Sequence, residues 1–275
     1  MAFCLTYSPA NKQQAMNATP TILFITGAFL SNGCWDQWLS YFEASGYKCI
    51  APSWPYKDAA PEELRNRSAN DTIALNTITS LADHFAAIIH SLPEKPILIG
   101  HSLGGLMVQL LLQQQLGAAG VVIHSFPPQG VQRFRLSFLK VIWETMMLFS
   151  SSRQTYMMPF LKWKYTLANG MDYTLQKQLF YDYAIPESKK IIRDVFRCRT
   201  KIDFKKKHTP ILFVAGSEDK MIHPSMNYSN FKRYESEDSI TGYKKFTGRN
   251  HLFFEHPQWK EEADFILCWL QQLQY

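Results

Sequence analysis

The stretch that decides the fold is ILIGHSLGG, residues 97–105. A short apolar run ending in glycine, Pro96–Gly100, is typical of a buried strand, and the apolar residues of Leu103–Leu116 predict a helix. Between them, Gly100–Gly104 has the spacing Gly-x-Ser-x-Gly. Small residues two positions before and after Ser102 let a tight, strained strand-to-helix turn close against its neighbours. We therefore expect the Ser102 hydroxyl above the sheet edge, near a helix N-terminus that favours developing negative charge.

Strand and helix patterns alternate on both sides of this turn. Further strands are predicted at Ile22–Gly27, Tyr47–Ala51, Val121–His124, Ile211–Gly216 and Thr241–Phe246. Helices are predicted at Trp35–Ala44, from Asp71 to about Ser91, at Ser225–Arg233 and at Gln258–Leu273, with a loop over Pro52–Asn70. Such alternation implies right-handed crossovers, and therefore an α/β fold whose mostly parallel sheet has helices on both faces.

The alternation is interrupted once, between the fourth and fifth strands. Residues 127–207 show helical patterns rich in methionine and aromatic residues and no clear strand. Because the alternation resumes afterwards, we interpret this segment as a helical insertion rather than as a second domain in tandem. The predicted organisation is a core of residues 1–126 and 208–275 with an insertion at 127–207.

Composition excludes several classes of protein. The 275 residues are 46% hydrophobic and 19% charged, which is typical of a globular chain and excludes disorder. No apolar run reaches the length of a membrane span, and the longest candidate, Leu136–Phe149, contains Lys140 and Glu144. The N-terminus lacks the pattern of a signal peptide. Together with five scattered cysteines, these features predict a cytoplasmic protein with reduced thiols: Cys4, Cys34, Cys49, Cys198 and Cys268.

The net charge of +6 is concentrated in the insertion. Residues 127–200 hold 12 Lys and Arg against 5 Asp and Glu, and Lys205–Lys207 follow directly. In one interpretation, these basic residues form a surface that is simply solvated. In the other, they attract an anionic substrate, a phosphopantetheine-type carrier or, transiently, an anionic membrane surface. No nucleic-acid-binding signature accompanies it, so we predict no nucleic-acid partner.

A serine nucleophile needs a base, and the base needs an orienting carboxylate. In an open parallel sheet such groups gather at the carboxyl ends of the strands. Gly216-Ser217-Glu218-Asp219 follows the fifth predicted strand, and Gly248-Arg249-Asn250-His251 follows the sixth. Both segments therefore place candidate partners at the edge that holds Ser102.

With these segments in place, the chain resembles the α/β-hydrolases of the serine-nucleophile type with a helical cap. The resemblance runs from Thr21 onward and rests on FITGAFLSNGCWDQW, ILIGHSLGG, ILFVAGSEDKMI and NHLFFEHPQW, in the family's order. It implies that Ser102 is the nucleophile, Asp219 the acid and His251 the base. It also implies that the insertion is a cap.

Each assignment has a competitor. Glu218 precedes Asp219, but the family usually places its acid three residues after the glycine, which favours Asp219. His256 precedes a proline suited to a first helical turn, so we expect it to cap or pack there rather than act as the base. We expect His101 and His124 to be structural or to lie behind the catalytic groups, and Asp203 to be a surface residue.

Acyl transfer also needs N–H donors for the tetrahedral oxyanion. One expected donor is the backbone N–H of Leu103, the residue after the nucleophile. The resemblance points to the N–H of Ala28 as the other. The sequence departs from the family at Thr26, where histidine is common, which affects the support of this loop more than the backbone donor itself.

These observations predict a serine hydrolase that cleaves a small-molecule carboxylic ester or thioester with an apolar acyl or alkyl group. The Met-rich and aromatic cap predicts an apolar pocket, although most of its large side chains must pack the cap onto the core. No cofactor or metal is predicted, because phosphate-binding, dinucleotide-binding and metal-ligand patterns are missing from the sequence. The alternatives are a carbon–carbon bond hydrolase, a lactonase or a lyase of the same fold, or a non-enzymatic ligand-binding member.

Overall fold

Six parallel strands form the central sheet. The computed structural model describes residues 20–131, 151, 153–196 and 200–275. In chain order, the strands of the described residues are β1 (Thr21–Ile25), β2 (Lys48–Ile50), β3 (Ile97–His101), β4 (Ala119–Ile123), β5 (Thr155–Tyr156), β6 (Glu187–Ser188), β7 (Ile211–Gly216) and β8 (Thr241–Phe246). The sheet order is β2-β1-β3-β4-β7-β8, and every neighbouring pair is parallel. The α/β prediction with a mostly parallel sheet is confirmed.

The helices connect these strands on both faces of the sheet. They are α1 (Asp36–Ala44), α2 (Pro61–Asn66), α3 (Ile78–Ser91), α4 (Leu103–Gln113), α5 (Phe160–Thr166), α6 (Tyr173–Tyr183), α7 (Lys189–Phe196), α8 (Pro224–Phe231) and α9 (Trp259–Gln272). Short 3₁₀ turns occupy Asn32–Trp35, Thr72–Leu75 and Phe253–Glu255. None of the helices in the described part of the chain combines the length and apolarity needed to cross a membrane.

The core has two layers because strand side chains alternate between the faces of the sheet. In β1, Ile22 and Phe24 face a layer that contains α1 and α9, whereas Leu23 and Ile25 face a layer that contains α3 and α4. Aromatic rings dominate the first layer: Trp35 packs edge-on against Trp38, with ring centroids 5.8 Å apart. This packing fixes the sheet, and with it the loops at its carboxyl edge.

Two local expectations were wrong. The segment expected to be a loop contains α2, where Pro61 occupies the first turn and Glu62 and Glu63 place negative charge near the helix N-terminus. The helix expected from Asp71 is divided: Asp71 caps only the turn Thr72–Leu75, and Thr77 caps α3 through a reciprocal hydrogen-bond pair with Ser80. Competing cap residues six positions apart explain the misplaced start.

Between β4 and β7 the described residues contain the helices α5, α6 and α7. They also contain β5 and β6, two antiparallel two-residue strands that are too short to give a periodic signal in the sequence. Met158, Trp163 and Leu167 are buried in the same layer as α1 and α9, so they pack this segment onto the sheet. The apolar run Leu136–Phe149 lies outside the described residues, as do Cys4 and Cys198.

Candidate active site

Ser102 occupies a strained turn between β3 and α4. Its φ and ψ are +55° and −116°, a conformation that is unfavourable for a residue with a side chain and must be held by the surroundings. Ser102 N–H donates to Ile123 O at 2.9 Å, and Ser102 O accepts from Phe126 N–H at 2.9 Å. A Cβ at Gly104 would lie 2.1 Å from Ile25 O, so only glycine lets α4 approach β1 this closely. The predicted reason for the Gly-x-Ser-x-Gly spacing is therefore visible in the backbone contacts.

Asp219 and His251 form a buried hydrogen-bonded pair. The Nδ1 atom of His251 lies 2.7 Å from Asp219 Oδ2, and the Asp219 side chain is fixed by backbone N–H groups of Met221 and Ile222, which donate to Oδ1 at 2.8 and 2.7 Å. Burial alone would raise the pKa of Asp219. The charge of the facing His251 imidazole, together with the contacts from His251 and His124, outweighs burial. These groups hold the pKa of Asp219 well below its usual value. An ionised Asp219 keeps the His251 ring oriented with Nδ1 toward the carboxylate.

Two further buried histidines surround this pair. His124 follows β4 with a φ of +49°, and its Nδ1 lies 2.9 Å from Asp219 Oδ2, at ion-pair distance but without hydrogen-bond alignment. His101 precedes Ser102, and its Nε2–H donates to His251 O at 2.9 Å, which assigns the proton to Nε2 because a carbonyl only accepts. Burial lowers the pKa of His101 well below its usual value, and charge on His251 and His124 lowers it further. His124 thus contacts the candidate acid and His101 contacts the backbone of the candidate base, and their structural role remains a prediction.

The loop after β1 lies against the serine turn. A Cβ at Gly27 would lie 2.9 Å from Ser102 Cβ, so Ala28 directly follows a residue in contact with the candidate nucleophile. Leu103 begins α4 and places its N–H at the helix N-terminus. Thr26 Oγ1 accepts a hydrogen bond from Trp35 Nε1 at 3.1 Å, which supplies a support for the loop where the family commonly has histidine.

The competing residues lie elsewhere. Glu218 is exposed and its Oε1 accepts from Ser217 Oγ at 3.0 Å, whereas the neighbouring Asp219 is buried against His251. His256 Nδ1 accepts from Gln258 N–H at 3.4 Å, but Gln258 is the N-cap residue of α9 and the helix has no side-chain cap, so His256 does not cap it as the sequence suggested. Asp203 is exposed, as expected for a surface residue. The catalytic roles of Ser102, Asp219, His251, Ala28 and Leu103 remain predictions.

Two buried ion pairs near the site were not found from the sequence. The first joins Arg249 to Glu262 at 2.5 Å; Arg249 also contacts the exposed Glu261 at 2.6 Å, and both contacts tie the loop carrying His251 to α9. Lys57 binds Glu187 at 2.6 Å beside the loop after β1. The members of the second pair are 130 positions apart, and no local pattern signals their contact.

One group of side chains has metal-ligand chemistry within the described ranges. Nitrogen atoms of His101, His124 and His251 all lie within 4.8 Å of one another. However, His251 Nδ1 is bonded to Asp219 and His101 Nε2 is bonded to His251 O. We therefore treat this cluster as part of the candidate catalytic site rather than as a metal centre.

Three solved structures share the fold along nearly the whole chain. A monoacylglycerol lipase from Paleococcus ferrophilus is 20% identical, covers 92% of this chain and 95% of its own, and has a TM-score of 0.67. A methylesterase from Arabidopsis is 13% identical, with coverages of 92% and 99% and a TM-score of 0.65. A variant of tomato methylketone synthase I complexed with β-ketoheptanoate is 12% identical, with coverages of 93% and 99% and a TM-score of 0.68. At such low identities, the TM-scores show a common fold and nothing about activity.

The family is shown by the sequence itself. No curated protein sequence matches the chain significantly. A sequence model described as "Alpha/beta hydrolase family" matches residues 22–262, a range that includes the serine turn and both strand ends that carry Asp219 and His251. The chain therefore belongs to the alpha/beta hydrolase family.

Proposed function

We propose that the protein is a serine hydrolase that cleaves a carboxylic ester or thioester with an apolar acyl or alkyl group. The observation that carries this proposal is the buried hydrogen bond between His251 Nδ1 and Asp219 Oδ2, 2.7 Å long, at the sheet edge where Ser102 occupies its strained turn. A serine on a strained strand-to-helix turn, at the same sheet edge as a histidine oriented by a carboxylate, is the set of groups that nucleophilic acyl transfer requires.

In the proposed reaction, His251 accepts the proton of the Ser102 hydroxyl while the serine oxygen attacks the substrate carbonyl. The ionised Asp219 stabilises the imidazolium that forms, and the N–H groups of Ala28 and Leu103 bind the oxyanion. His251 then protonates the leaving alcohol or thiol, which produces an acyl-enzyme. Water activated by His251 hydrolyses this intermediate and releases the acid.

The comparisons support ester chemistry at the level of the fold. Two of the similar structures are named as a lipase and a methylesterase, and both cover almost the full length of this chain. The third is a methylketone synthase with a bound β-keto acid, so the fold also carries other chemistry. The alternatives are therefore a carbon–carbon bond hydrolase, a lactonase, a lyase or a binding protein. The assays below must distinguish each of them from a hydrolase of esters or thioesters.

The proposed apolar substrate rests on the insertion at residues 127–207, which we propose is a cap over the site. Met158 and Trp163, two of the side chains that suggested an apolar pocket, are buried against the sheet and pack the cap instead. The proposal for the acyl group therefore depends on the run Leu136–Phe149 and is tested by chain length. A reduced, cytoplasmic setting is proposed on the cysteine usage alone.

The direct test is covalent labelling with a fluorophosphonate, followed by hydrolysis of p-nitrophenyl esters and acyl-thioesters. We expect labelling of Ser102, and Ser102→Ala is expected to lose labelling and to lose about 10³-fold or more of the rate. Ser40→Ala is the matched control, because Ser40 is an exposed residue of α1 whose hydroxyl donates to Asp36 O. Folded wild-type protein that neither labels nor hydrolyses any ester would contradict the proposal and favour a binding role.

A further inference from the structure

Lys57 and Glu187 form an ion pair inside the protein, next to the proposed oxyanion loop. Lys57 Nζ lies 2.6 Å from Glu187 Oε2, and the two side chains are 3% and 0% exposed. The ammonium also lies 4.0 Å from the centre of the Trp54 ring. Two charges taken out of water lose their hydration, and an apolar pair of similar volume is often at least as stabilising. Stability alone therefore gives little reason for a charged pair at this position.

Glu187 also binds the backbone of the loop. Its Oε2 accepts from Phe29 N–H at 3.4 Å, and its Oε1 accepts from Ser188 N–H at 2.8 Å. Phe29 directly follows Ala28 and has a φ of +67°, in the left-handed region that a bulky side chain disfavours. Such a conformation persists only when the surrounding structure holds it. The Glu187 carboxylate is one of the groups that hold it.

The rest of this contact is a backbone ladder between the loop and the insertion. Ile185 N–H donates to Phe29 O at 3.1 Å, and Ser31 N–H donates to Tyr183 O at 2.9 Å. Leu30 and Ala184 form an antiparallel bridge between these two bonds. Glu187 continues the ladder with its side chain, and Lys57, from the loop after β2, donates to the same carboxylate oxygen that accepts from Phe29 N–H. Three separate parts of the chain thus meet at Phe29.

We propose that Lys57 and Glu187 are positioning residues, which hold the Phe29 backbone so that the Ala28 N–H points at the oxyanion above Ser102. This inference rests on the proposed function. It assigns a specific task to the carboxylate: an oxygen acceptor is needed for the Phe29 N–H, and Lys57 neutralises and orients that acceptor. Neither residue touches the substrate, so their removal affects the rate of the chemical step rather than substrate binding.

The test compares two double variants that both remove the charges. Lys57→Met/Glu187→Met keeps the apolar volume and removes the acceptor for Phe29 N–H. Lys57→Met/Glu187→Gln keeps a carbonyl acceptor at the same distance along the side chain. We expect both to melt near the wild-type temperature. The first is expected to lose about 10- to 100-fold in kcat with KM changed by about twofold or less, below the 10²–10³ of a fully removed donor. The second is expected to recover most of this loss.

A matched control is the exposed ion pair of Arg67 and Glu63, whose atoms lie 2.7 Å apart. Arg67→Met/Glu63→Met removes the same charges from the surface and is expected to leave kcat unchanged. A trifluoromethyl ketone, which forms a tetrahedral adduct whose oxygen occupies the oxyanion site, is expected to lose affinity in parallel with kcat. If the pair were purely structural, the double variants would instead melt at a lower temperature. Their kcat values would then not differ according to whether position 187 keeps a carbonyl acceptor.

Equal kcat in wild type and in Lys57→Met/Glu187→Met would overturn the inference, as would an equal loss in both double variants. If the Glu187→Met form does not fold, Lys57→Met/Glu187→Leu replaces it, and failure of both to fold also counts against the inference. Hydrogen exchange at the Phe29 amide separates this outcome from failure of the proposed function. Faster exchange in the Glu187→Met form than in the Glu187→Gln form is expected even if the wild type hydrolyses no ester.

Discussion

Replacing Gly104 with alanine tests the contact that we regard as decisive for the serine turn. A Cβ at this position would lie 2.1 Å from Ile25 O and 2.7 Å from Thr26 O. Both are backbone atoms, one in the last residue of β1 and one in the residue that follows it, and they cannot rotate away as a side chain can. An ordinary contact between carbon and oxygen is about 3.3 Å, so α4 must move away from β1 by about 1 Å.

Two effects of this movement can be estimated. Overpacking a rigid contact typically costs about 1–3 kcal/mol of unfolding free energy, which exceeds the gain of about 1 kcal/mol that alanine brings to a helix. Ser102 and the Leu103 N–H move with the start of α4, because both belong to the turn that Gly104 closes. A displacement of about 1 Å at reacting groups reduces rates by about 100-fold. We therefore expect Gly104→Ala to be modestly destabilised and severely impaired in kcat.

The assay is urea denaturation combined with ester hydrolysis and the rate of fluorophosphonate labelling. Gly33→Ala is the matched control, because the nearest atom to its Cβ would be Asp36 Oδ2 at 3.6 Å, an ordinary contact. This control is expected to keep wild-type stability to within about 1 kcal/mol and full activity. Wild-type stability and labelling rate in Gly104→Ala would refute the argument, since they would mean that α4 tolerates the added carbon.

The remaining predictions concern the acid, the base and the substrate. His251→Ala is expected to reduce kcat/KM about as much as Ser102→Ala does, and the double variant is expected to be hardly worse. His256→Ala is expected to change mainly the free energy of unfolding. If His256→Ala reduced kcat/KM more than His251→Ala, the wrong histidine would have been chosen as the base. The pKa of Asp219 is lower in the folded chain than its unfolded value of about 3.9, so its stabilising contribution is present above about pH 4 and is lost as the pH falls through the folded pKa. The difference in unfolding free energy between wild type and Asp219→Asn, measured by urea denaturation, should therefore shrink from pH 5 to pH 2; a constant difference would contradict this. Each added methylene in the acyl chain is expected to raise kcat/KM by at most about fourfold until the pocket is full, and a preference for acetyl esters would exclude the pocket. If the basic residues of 127–200 attract an anionic substrate, its kcat/KM falls with salt while that of a neutral ester does not; equal salt dependence would leave this charge as a solvated face.

Much of this fold is encoded locally, and those parts were predicted well. The strands Ile211–Gly216 and Thr241–Phe246 match the structure to the residue, because a short apolar run and a short β-rich run, each bounded by turn residues, are local strand signals. Where two local signals compete, the prediction was wrong, as at Asp71 and Thr77, which both have the chemistry of a helix cap. The two-residue strands Thr155–Tyr156 and Glu187–Ser188 are too short to have any periodicity.

The sequence by itself determined the order of strands and helices, the serine turn and the two strand ends that carry Asp219 and His251. These features depend on residues close together in the chain and on the rule that parallel strands end at one edge. Only the tertiary structure decided that His124 contacts Asp219 and that Glu187 holds Phe29 while paired with Lys57. These contacts join residues about 95 to 160 positions apart, and a buried charge shows no periodicity or spacing that indicates its partner. They arise because packing the insertion and the loops onto the sheet leaves polar groups without water, and each such group must find its partner within the fold.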